Sequence, residues 1–294
     1  MYADDDHVAR VSLLCLENTH NRHGGTLVPL DRVEALSAAA HAHGLRVHLD
    51  GARLWNASGA TGVPIREYPE ASPEEVSKAL VEADRAAARW RTASFADRVA
   101  LMHKAGVRLR QRNEDLAHLM AIEMGKPLAQ GRAEAEKCAW VCDYYGEHAQ
   151  AFLADELVAT DASRSFVSYR PLGVVLAVMP WNFPLWQVFR FAAPSLMAGN
   201  AGILKHASNV SGCALAIEDI FRDAGFPPGL FRTLLVGAGR VAGLIEARQV
   251  KAVTLTGSTP AGRAVAAQAG ACLKKTVLEL GGSDPYLILE DADL

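Results

Sequence analysis

Several polar residues follow apolar stretches at places where side chains can take part in chemistry. Asn182 lies in the turn from Met179 to Pro184, between the apolar run Gly173 to Val178 and an amphipathic segment from Leu185 to Met197. The flanking prolines restrict the backbone, and an amide held in one direction can stabilise a developing oxyanion by roughly 3 kcal/mol. The alternative is a polar residue that only caps a local turn.

A carboxylate and a guanidinium offer proton transfer and anion binding. Glu279 ends the last apolar strand, just before a pair of glycines that would let a ligand approach closely. A carboxylate there can take a proton from a thiol or from water, provided that it is buried. Arg190 follows the Asn182 turn and carries a planar fork of donors that suits a carboxylate, unless it only snorkels from a helix face.

Two glycine-containing turns are candidates for binding a phosphate. Gly257 and Ser258 end an apolar strand and begin a helix, where backbone N–H groups and the helix dipole favour an anion. A helix cap without a ligand is the alternative. The turn Gly237 to Gly239 also follows a strand, but Gly243 comes one place too late for the dinucleotide-binding fingerprint.

The rhythm of the chain predicts a scaffold that would gather these residues. Apolar strands and amphipathic segments alternate from Val174 to Leu280, which is typical of an α/β fold with a doubly wound parallel sheet. The predicted strands are Val174–Met179, Ala201–Lys205, Leu230–Val236, Ala252–Thr256 and Thr276–Leu280. Helices dominate residues 73–150, before this sheet, and Phe166 to Tyr169 is a candidate edge strand.

The first sixty residues predict a separate strand–helix–strand unit. The apolar run Val11 to Leu16 precedes a helix opened by Asp31, and Leu45 to Leu49 forms the second strand. Asp50 follows directly, and a carboxylate at a buried strand end needs a cationic partner such as a protonated pyridine ring.

Composition and charge argue against several classes of function. The 294 residues carry a net charge of -3, which offers no basic surface for nucleic acid, and no apolar run is long enough to span a bilayer. The first six residues do not form a signal peptide, so we expect a cytoplasmic protein with small-molecule partners. Five scattered cysteines indicate reduced thiols, with Cys138 and Cys142 packing on one helix face, and no metal site is predicted.

The Asn182 turn, the segment Gly257 to Gly262 and the run Glu279 to Gly282 together resemble the aldehyde dehydrogenase superfamily. The wider match, from about Thr61 to Leu294, looks most like succinate-semialdehyde dehydrogenases. The resemblance implies a homo-oligomer that oxidises an aldehyde to a carboxylate with NADP or NAD. It makes Glu279 the general base, Asn182 the oxyanion donor and Arg190 the group that holds the distal carboxylate of the substrate.

The same resemblance assigns contacts with the nicotinamide nucleotide. Lys205 would contact the adenosine ribose, and Ser208 stands where many NAD-preferring members carry a glutamate, so NADP should be tolerated. The remaining predicted contacts are Pro180, Trp181, Gly257, Ser258, Gly262 and Leu280.

One element of the family pattern is not matched. The nucleophilic cysteine of the family lies beyond the glutamate in a Gly-Gln-x-Cys context, and none of the five cysteines has that context. Cys272 is near Glu279 in sequence, but we interpret it as a packing thiol. We therefore expect this polypeptide alone to oxidise no aldehyde. The alternatives are a non-catalytic nucleotide-binding fragment and an unstable fragment with uncovered apolar surface.

A second resemblance, from about Val11 to Pro64, is to low-specificity threonine aldolase, a pyridoxal phosphate enzyme. It rests on the segments Leu14–Asn21, Gly24–Thr26 and His48–Leu54. It implies that Asp50 holds the pyridine nitrogen and Arg53 the substrate carboxylate, a vestigial site if the Schiff-base lysine is absent.

The lysine that comes closest to matching the Schiff-base lysine is Lys78. We place it on the solvent face of a helix opened by Ser72. A pyridoxal phosphate lyase is therefore the disfavoured alternative. We predict an aldolase-like fragment at residues 1–62 and a nicotinamide nucleotide-binding domain at residues 63–294, joined where Ala60 to Gly62 fits both patterns.

Overall fold

The computed structural model describes residues 13–17, 30–50 and 66–282. Its first unit is a parallel pair of strands, β1 (Leu13–Glu17) and β2 (Arg46–Asp50), joined by helix α1 (Leu30–Ala42). The predicted strand–helix–strand order is confirmed. Helix α1 begins at Leu30, one residue before the predicted opening at Asp31.

Four helices follow: α2 (Pro73–Trp90), α3 (Phe95–Gln111), α4 (Asn113–Met124) and α5 (Leu128–Phe152). Helix α2 begins as predicted, with a capping box in which the Ser72 hydroxyl accepts from Glu75 N–H and the Glu75 carboxylate accepts from Ser72 N–H. The apolar stripe of this helix is buried, and Lys78 on the opposite face is 76% exposed.

A short hairpin connects the helices to the sheet. Strands β3 (Glu156–Leu157) and β4 (Phe166–Val167) pair antiparallel. The predicted edge strand Phe166 to Tyr169 is therefore shorter than expected, and its partner was not predicted because two exposed residues carry no periodic signal.

The central sheet has five parallel strands in the order β7-β6-β5-β8-β9. They are β5 (Val174–Met179), β6 (Ala201–His206), β7 (Phe231–Thr233), β8 (Val250–Gly257) and β9 (Lys275–Leu280). The alternating helices are α6 (Trp186–Met197), α7 (Ser211–Ala224), α8 (Val241–Glu246) and α9 (Thr259–Ala271). The predicted doubly wound parallel sheet is confirmed.

Strand β7 is the largest departure from the predicted bounds, since it stops at Thr233 rather than Val236. The chain leaves the ladder there because Leu235 accepts a hydrogen bond at 2.8 Å from Ala71 N–H, just before α2. Helices and sheet share one core, in which Phe189 of α6 stacks on Phe221 of α7. Among the described residues, no helix combines the length and apolarity needed to cross a membrane.

Candidate functional site

The site is organised by a reversal in strand order. From β5 the chain adds β6 and then β7 on one side, and it returns with β8 and β9 on the other side. In open parallel sheets a crevice forms at the carboxyl edge where the order reverses, and ligands bind there. The Asn182 turn follows β5 and the Gly257–Ser258 turn follows β8, so the two predicted turns flank this crevice.

Lys205 and Glu279 extend the same edge in both directions. Lys205 pairs in register with Val178 near the end of β6, and Glu279 pairs with Thr256 near the end of β9. Three strand spacings separate β6 from β9, roughly 14 Å across the sheet. The predicted residues therefore share one edge.

The Asn182 turn is bonded to His206, which the sequence analysis did not select. Ala207 N–H donates to His206 Nδ1 at 2.9 Å, and His206 Nε2 lies 2.8 Å from the carbonyl oxygen of Pro184. Nδ1 is closer to Ala207 N–H than to the Met179 carbonyl oxygen, which lies 3.2 Å away, so we assign Nδ1 as an acceptor and place the ring proton on Nε2, where it donates to Pro184. Burial lowers the pKa of His206 to about 4, so the ring is neutral at neutral pH.

A buried ion pair bonds to the two residues that follow the turn. Glu134 Oε1 accepts from the N–H groups of Leu185 and Trp186, both at 2.9 Å, where helix α6 begins. Its second oxygen binds the ammonium of Lys126, and both side chains are about 95% buried or more. Lys126 Nζ also lies 4.0 Å from the ring centroid of Phe183. Asn182 itself is exposed on the surface of the turn.

Helix α7 is capped in the same way. The Glu123 carboxylate accepts from Gly212 N–H at 2.6 Å and from Cys213 N–H at 2.8 Å. Helix α9 differs, because its cap is Ser258, whose hydroxyl accepts from Ala261 N–H at 3.4 Å. Ser258 is exposed at the crevice edge.

Sequence reasoning overlooked Glu134, His206 and Glu123. The signal for Glu134 was available, because it precedes Cys138 and Cys142 at four-residue steps on the buried face of α5. His206 carried no such signal, since its partners are backbone atoms brought together by the fold.

Lys205 is only 9% exposed, so it is not a solvated strand end. Burial lowers the pKa of its ammonium, and the nearby Glu70 carboxylate acts in the opposite direction. Ser208 begins a short 3-10 helix after β6 and is exposed.

Arg190 and Glu279 face each other, with Nη2 and Oε2 3.8 Å apart. They line a cleft of about 540 Å³ between α6 and one face of β8 and β9, whose described lining contains neither Lys205 nor Ser258. Arg190 thus reaches a carboxylate rather than only snorkelling. Glu279 is 57% exposed, so the described residues do not supply the burial that we required of a general base.

Gly262 and Leu280, both predicted to contact the cofactor, contact each other. A Cβ added at Gly262 would lie within 3 Å of both terminal methyl groups of Leu280. Glycine at this position therefore lets α9 approach the end of β9. Pro180 and Trp181 are partly buried in the turn after β5.

Three of the four cysteines with described side chains are unsuited to nucleophilic attack. Cys138, Cys142 and Cys213 are buried, and burial raises the pKa of each thiol. Cys272 caps the end of α9 and is half-buried rather than buried. Among the described residues, no group of three or more His, Cys, Asp or Glu side chains could hold a metal ion.

The predicted pyridoxal phosphate residues receive little structural description. Asp50 is the last residue of β2, opposite Glu17 in register, and its side chain and Arg53 lie outside the described residues. Lys78 is 4.0 Å from Glu82 on the solvent face of α2, as predicted.

Two family models match the chain. The aldehyde dehydrogenase family matches residues 48–294, and the beta-eliminating lyase family matches residues 1–72. The matches overlap at residues 48–72, which include the predicted join at Ala60 to Gly62.

Curated relatives and solved structures are similar to the same part of the chain. A probable NADP+ succinate-semialdehyde dehydrogenase of Synechocystis is 54% identical over 235 residues, which is 80% of this chain and 52% of the relative. A succinate semialdehyde dehydrogenase [NAD(P)+] of Escherichia coli is 46% identical over 80% of this chain and 51% of the relative. This chain therefore spans about half the length of these relatives.

The crystal structure of a Streptococcus pyogenes succinic semialdehyde dehydrogenase with NADP+ superposes with a TM-score of 0.75 at 34% identity. The superposition covers 78% of this chain and 50% of that chain.

Proposed function

This chain belongs to the aldehyde dehydrogenase family, and we propose that the carboxyl edge of its parallel sheet binds a nicotinamide nucleotide, NADP or NAD. We further propose that the reaction it serves is the oxidation of succinate semialdehyde, or a similar semialdehyde, to the carboxylate. The observation that carries the proposal is the crevice where the strand order reverses, flanked by the Asn182 turn and the Gly257–Ser258 turn.

The start of α9 is the place for the pyrophosphate. Helices α6 and α7 already direct their first N–H groups at the carboxylates of Glu134 and Glu123. A phosphate near either carboxylate would be repelled, whereas Ser258 leaves α9 with only a neutral cap. The chemistry of the three helix ends thus favours α9 as the anion-binding end.

The adenosine end would lie toward β6. Lys205 supplies a cation at the end of that strand, and Ser208 leaves room for an additional phosphate on the ribose. The names of the similar proteins from Synechocystis and Escherichia coli include NADP+ or NAD(P)+, which supports NADP as a cofactor. Pro180 and Trp181 would contact the nicotinamide end from the turn after β5.

Chemistry would take place beside that turn. The bound nucleotide would supply a hydride acceptor, while the Asn182 amide donates to the oxyanion and Glu279 removes a proton. Arg190 would hold the distal carboxylate of the substrate, in place of the Glu279 carboxylate that it contacts now. An exposed ion pair is weak, so this exchange costs little and releases Glu279 toward the reacting group.

The test is nucleotide binding and turnover by the 294-residue chain. We expect NADP+ to bind in a calorimetric titration, and Lys205→Met to weaken binding about tenfold by removing one buried charge–phosphate or charge–ribose contact. We expect no NADPH to form with succinate semialdehyde, because Cys138, Cys142 and Cys213 are buried and Cys272 lacks the Gly-Gln-x-Cys context. Absence of NADP+ binding would refute the nucleotide site, and turnover would refute the expectation about the thiols.

A further inference from the structure

The turn that carries Asn182 is bonded on its carboxyl side by two side chains that the proposed chemistry leaves unused. His206 donates to the carbonyl of Pro184, the last residue of the turn, and accepts from Ala207 N–H. Glu134 accepts from the N–H groups of the next two residues, Leu185 and Trp186. The backbone on the carboxyl side of Asn182 is thus bonded to two separate parts of the fold, strand β6 and helix α5.

Capping the start of α6 with the buried Glu134–Lys126 pair has a high cost in free energy. Both side chains are almost completely buried, and removing two charges from water commonly costs as much as their attraction returns. A serine or aspartate cap would satisfy the same N–H groups at the surface. The pair also fixes the orientation of the turn. One carboxylate oxygen of Glu134 accepts from the start of α6, and the other binds Lys126, whose ammonium lies over the ring of Phe183, the neighbour of Asn182.

His206 adds a second fixed point. The ring is 4% exposed, and its two nitrogens have different roles, one accepting and one donating. Only the neutral ring in one tautomer can make both bonds. The turn is therefore bonded to a group whose protonation and orientation are set by the core rather than by solvent.

We propose that Glu134 and His206 are positioning residues that fix the Asn182 turn before any ligand arrives. This inference rests on the proposed function, in which Asn182 and its neighbours Pro180 and Trp181 face the nicotinamide end of the nucleotide. Preorganisation of this kind puts the cost of ordering the turn into folding instead of binding. No described hydrogen bond joins Glu134 or the His206 ring to the Lys205 side chain, at the proposed adenosine end, or to the start of α9, at the proposed pyrophosphate site.

The experiment compares two nucleotides in two pairs of variants. NADP+ reaches the turn, whereas 2′,5′-ADP carries only the adenosine end. Glu134→Ala removes the acceptor and leaves Lys126 unpaired, while the double variant Glu134→Gln with Lys126→Met keeps an oxygen facing the N–H groups and removes both charges. His206→Asn keeps an acceptor at the Nδ1 position but loses the donor to Pro184, and His206→Gln places an amide nitrogen where Nε2 lies.

We expect Glu134→Ala and His206→Asn to weaken NADP+ binding about tenfold and to leave 2′,5′-ADP binding unchanged within about twofold. Amide hydrogen exchange in the free chain should become faster in peptides from the turn and the start of α6. The matched partners, the double variant and His206→Gln, should behave like the unmodified chain.

Equal loss of both nucleotides would indicate general destabilisation and overturn the proposal, as would unchanged NADP+ binding in Glu134→Ala and His206→Asn. Failure of the matched partners to preserve binding would also overturn it. If the unmodified chain binds neither nucleotide, the proposed function fails, and exchange in the turn still decides whether Glu134 and His206 hold it.

Discussion

The Asn182 turn and the Gly257–Ser258 turn both lie at the end of a strand beside the same crevice, but their backbone polar groups have different hydrogen-bond partners. In the first, and at the neighbouring start of α7, buried or half-buried side chains from other elements take up the polar groups. In the second, the Ser258 hydroxyl is the one side chain among the described residues that caps the helix. We call the first turn closed, because other parts of the protein bond to its backbone groups, and the second turn open, because its N–H groups can bond to a ligand.

This difference in hydrogen-bond partners corresponds to the two roles that we propose for the turns at this edge of the sheet. A turn that aims a donor at a reacting atom must be rigid before the substrate arrives, so its hydrogen bonds are made within the protein. A turn that binds a phosphate must keep N–H groups for the ligand and must not carry a negative charge of its own. Carboxylate caps at α6 and α7 and a hydroxyl cap at α9 meet these two requirements.

Protonation of His206 at acid pH should release the Asn182 turn, and this is the largest effect that we expect. Because the folded pKa of His206 is about 4 and the ordinary value is 6.5, the unfolded chain takes up this proton first as the pH falls. The stability from neutral His206 is complete above that ordinary value and is lost as the pH falls toward the folded value, about 3 kcal/mol in total.

Urea unfolding at about pH 7 and about pH 4.5 measures this effect. The carboxylates titrate in the same range, so His206→Gln is the control, and it should lose less stability than the unmodified chain between the two pH values. Equal losses would mean that His206 gains its proton as easily in the folded chain as in the unfolded one.

A carboxylate at the start of α9 should weaken the binding of a phosphate at the Gly257–Ser258 turn. Ser258→Asp keeps a good helix cap and gives α9 the kind of carboxylate that α6 and α7 already have. We expect NADP+ binding to weaken at least about tenfold through repulsion of the pyrophosphate, while thermal stability is kept or slightly raised. Ser258→Asn has the same shape without the charge and should bind NADP+ nearly as well; similar affinities for the two variants would place the pyrophosphate elsewhere.

The smallest effect is expected at α7. Glu123→Gln leaves one oxygen to accept from Gly212 or Cys213 and turns an amide nitrogen toward the other N–H group. We expect a loss of about 1 kcal/mol in the free energy of unfolding, measured with urea, and no change in NADP+ affinity. A gain in nucleotide affinity would show instead that the carboxylate at α7 had been excluding a phosphate.

Much of the fold followed from local patterns. The bounds of β5 and the start of α2 agree with the predicted ones, because a continuous apolar run and a capping box each leave a direct mark on the sequence. The bounds of β7 were wrong because Leu235 bonds to a segment far away in the chain.

For the candidate site, residue types and their order were enough to select Asn182, Lys205, Ser258 and Glu279, because turns at strand ends lie at one edge of any parallel sheet. Only the tertiary structure decided which helix ends remain open, since the carboxylates that close α6 and α7 come from helices 51 to 90 residues away. It also decided that Arg190 faces Glu279 and that His206 is a neutral, buried support for the turn. Burial and long-range pairing depend on distances in space, and a linear sequence does not contain those distances.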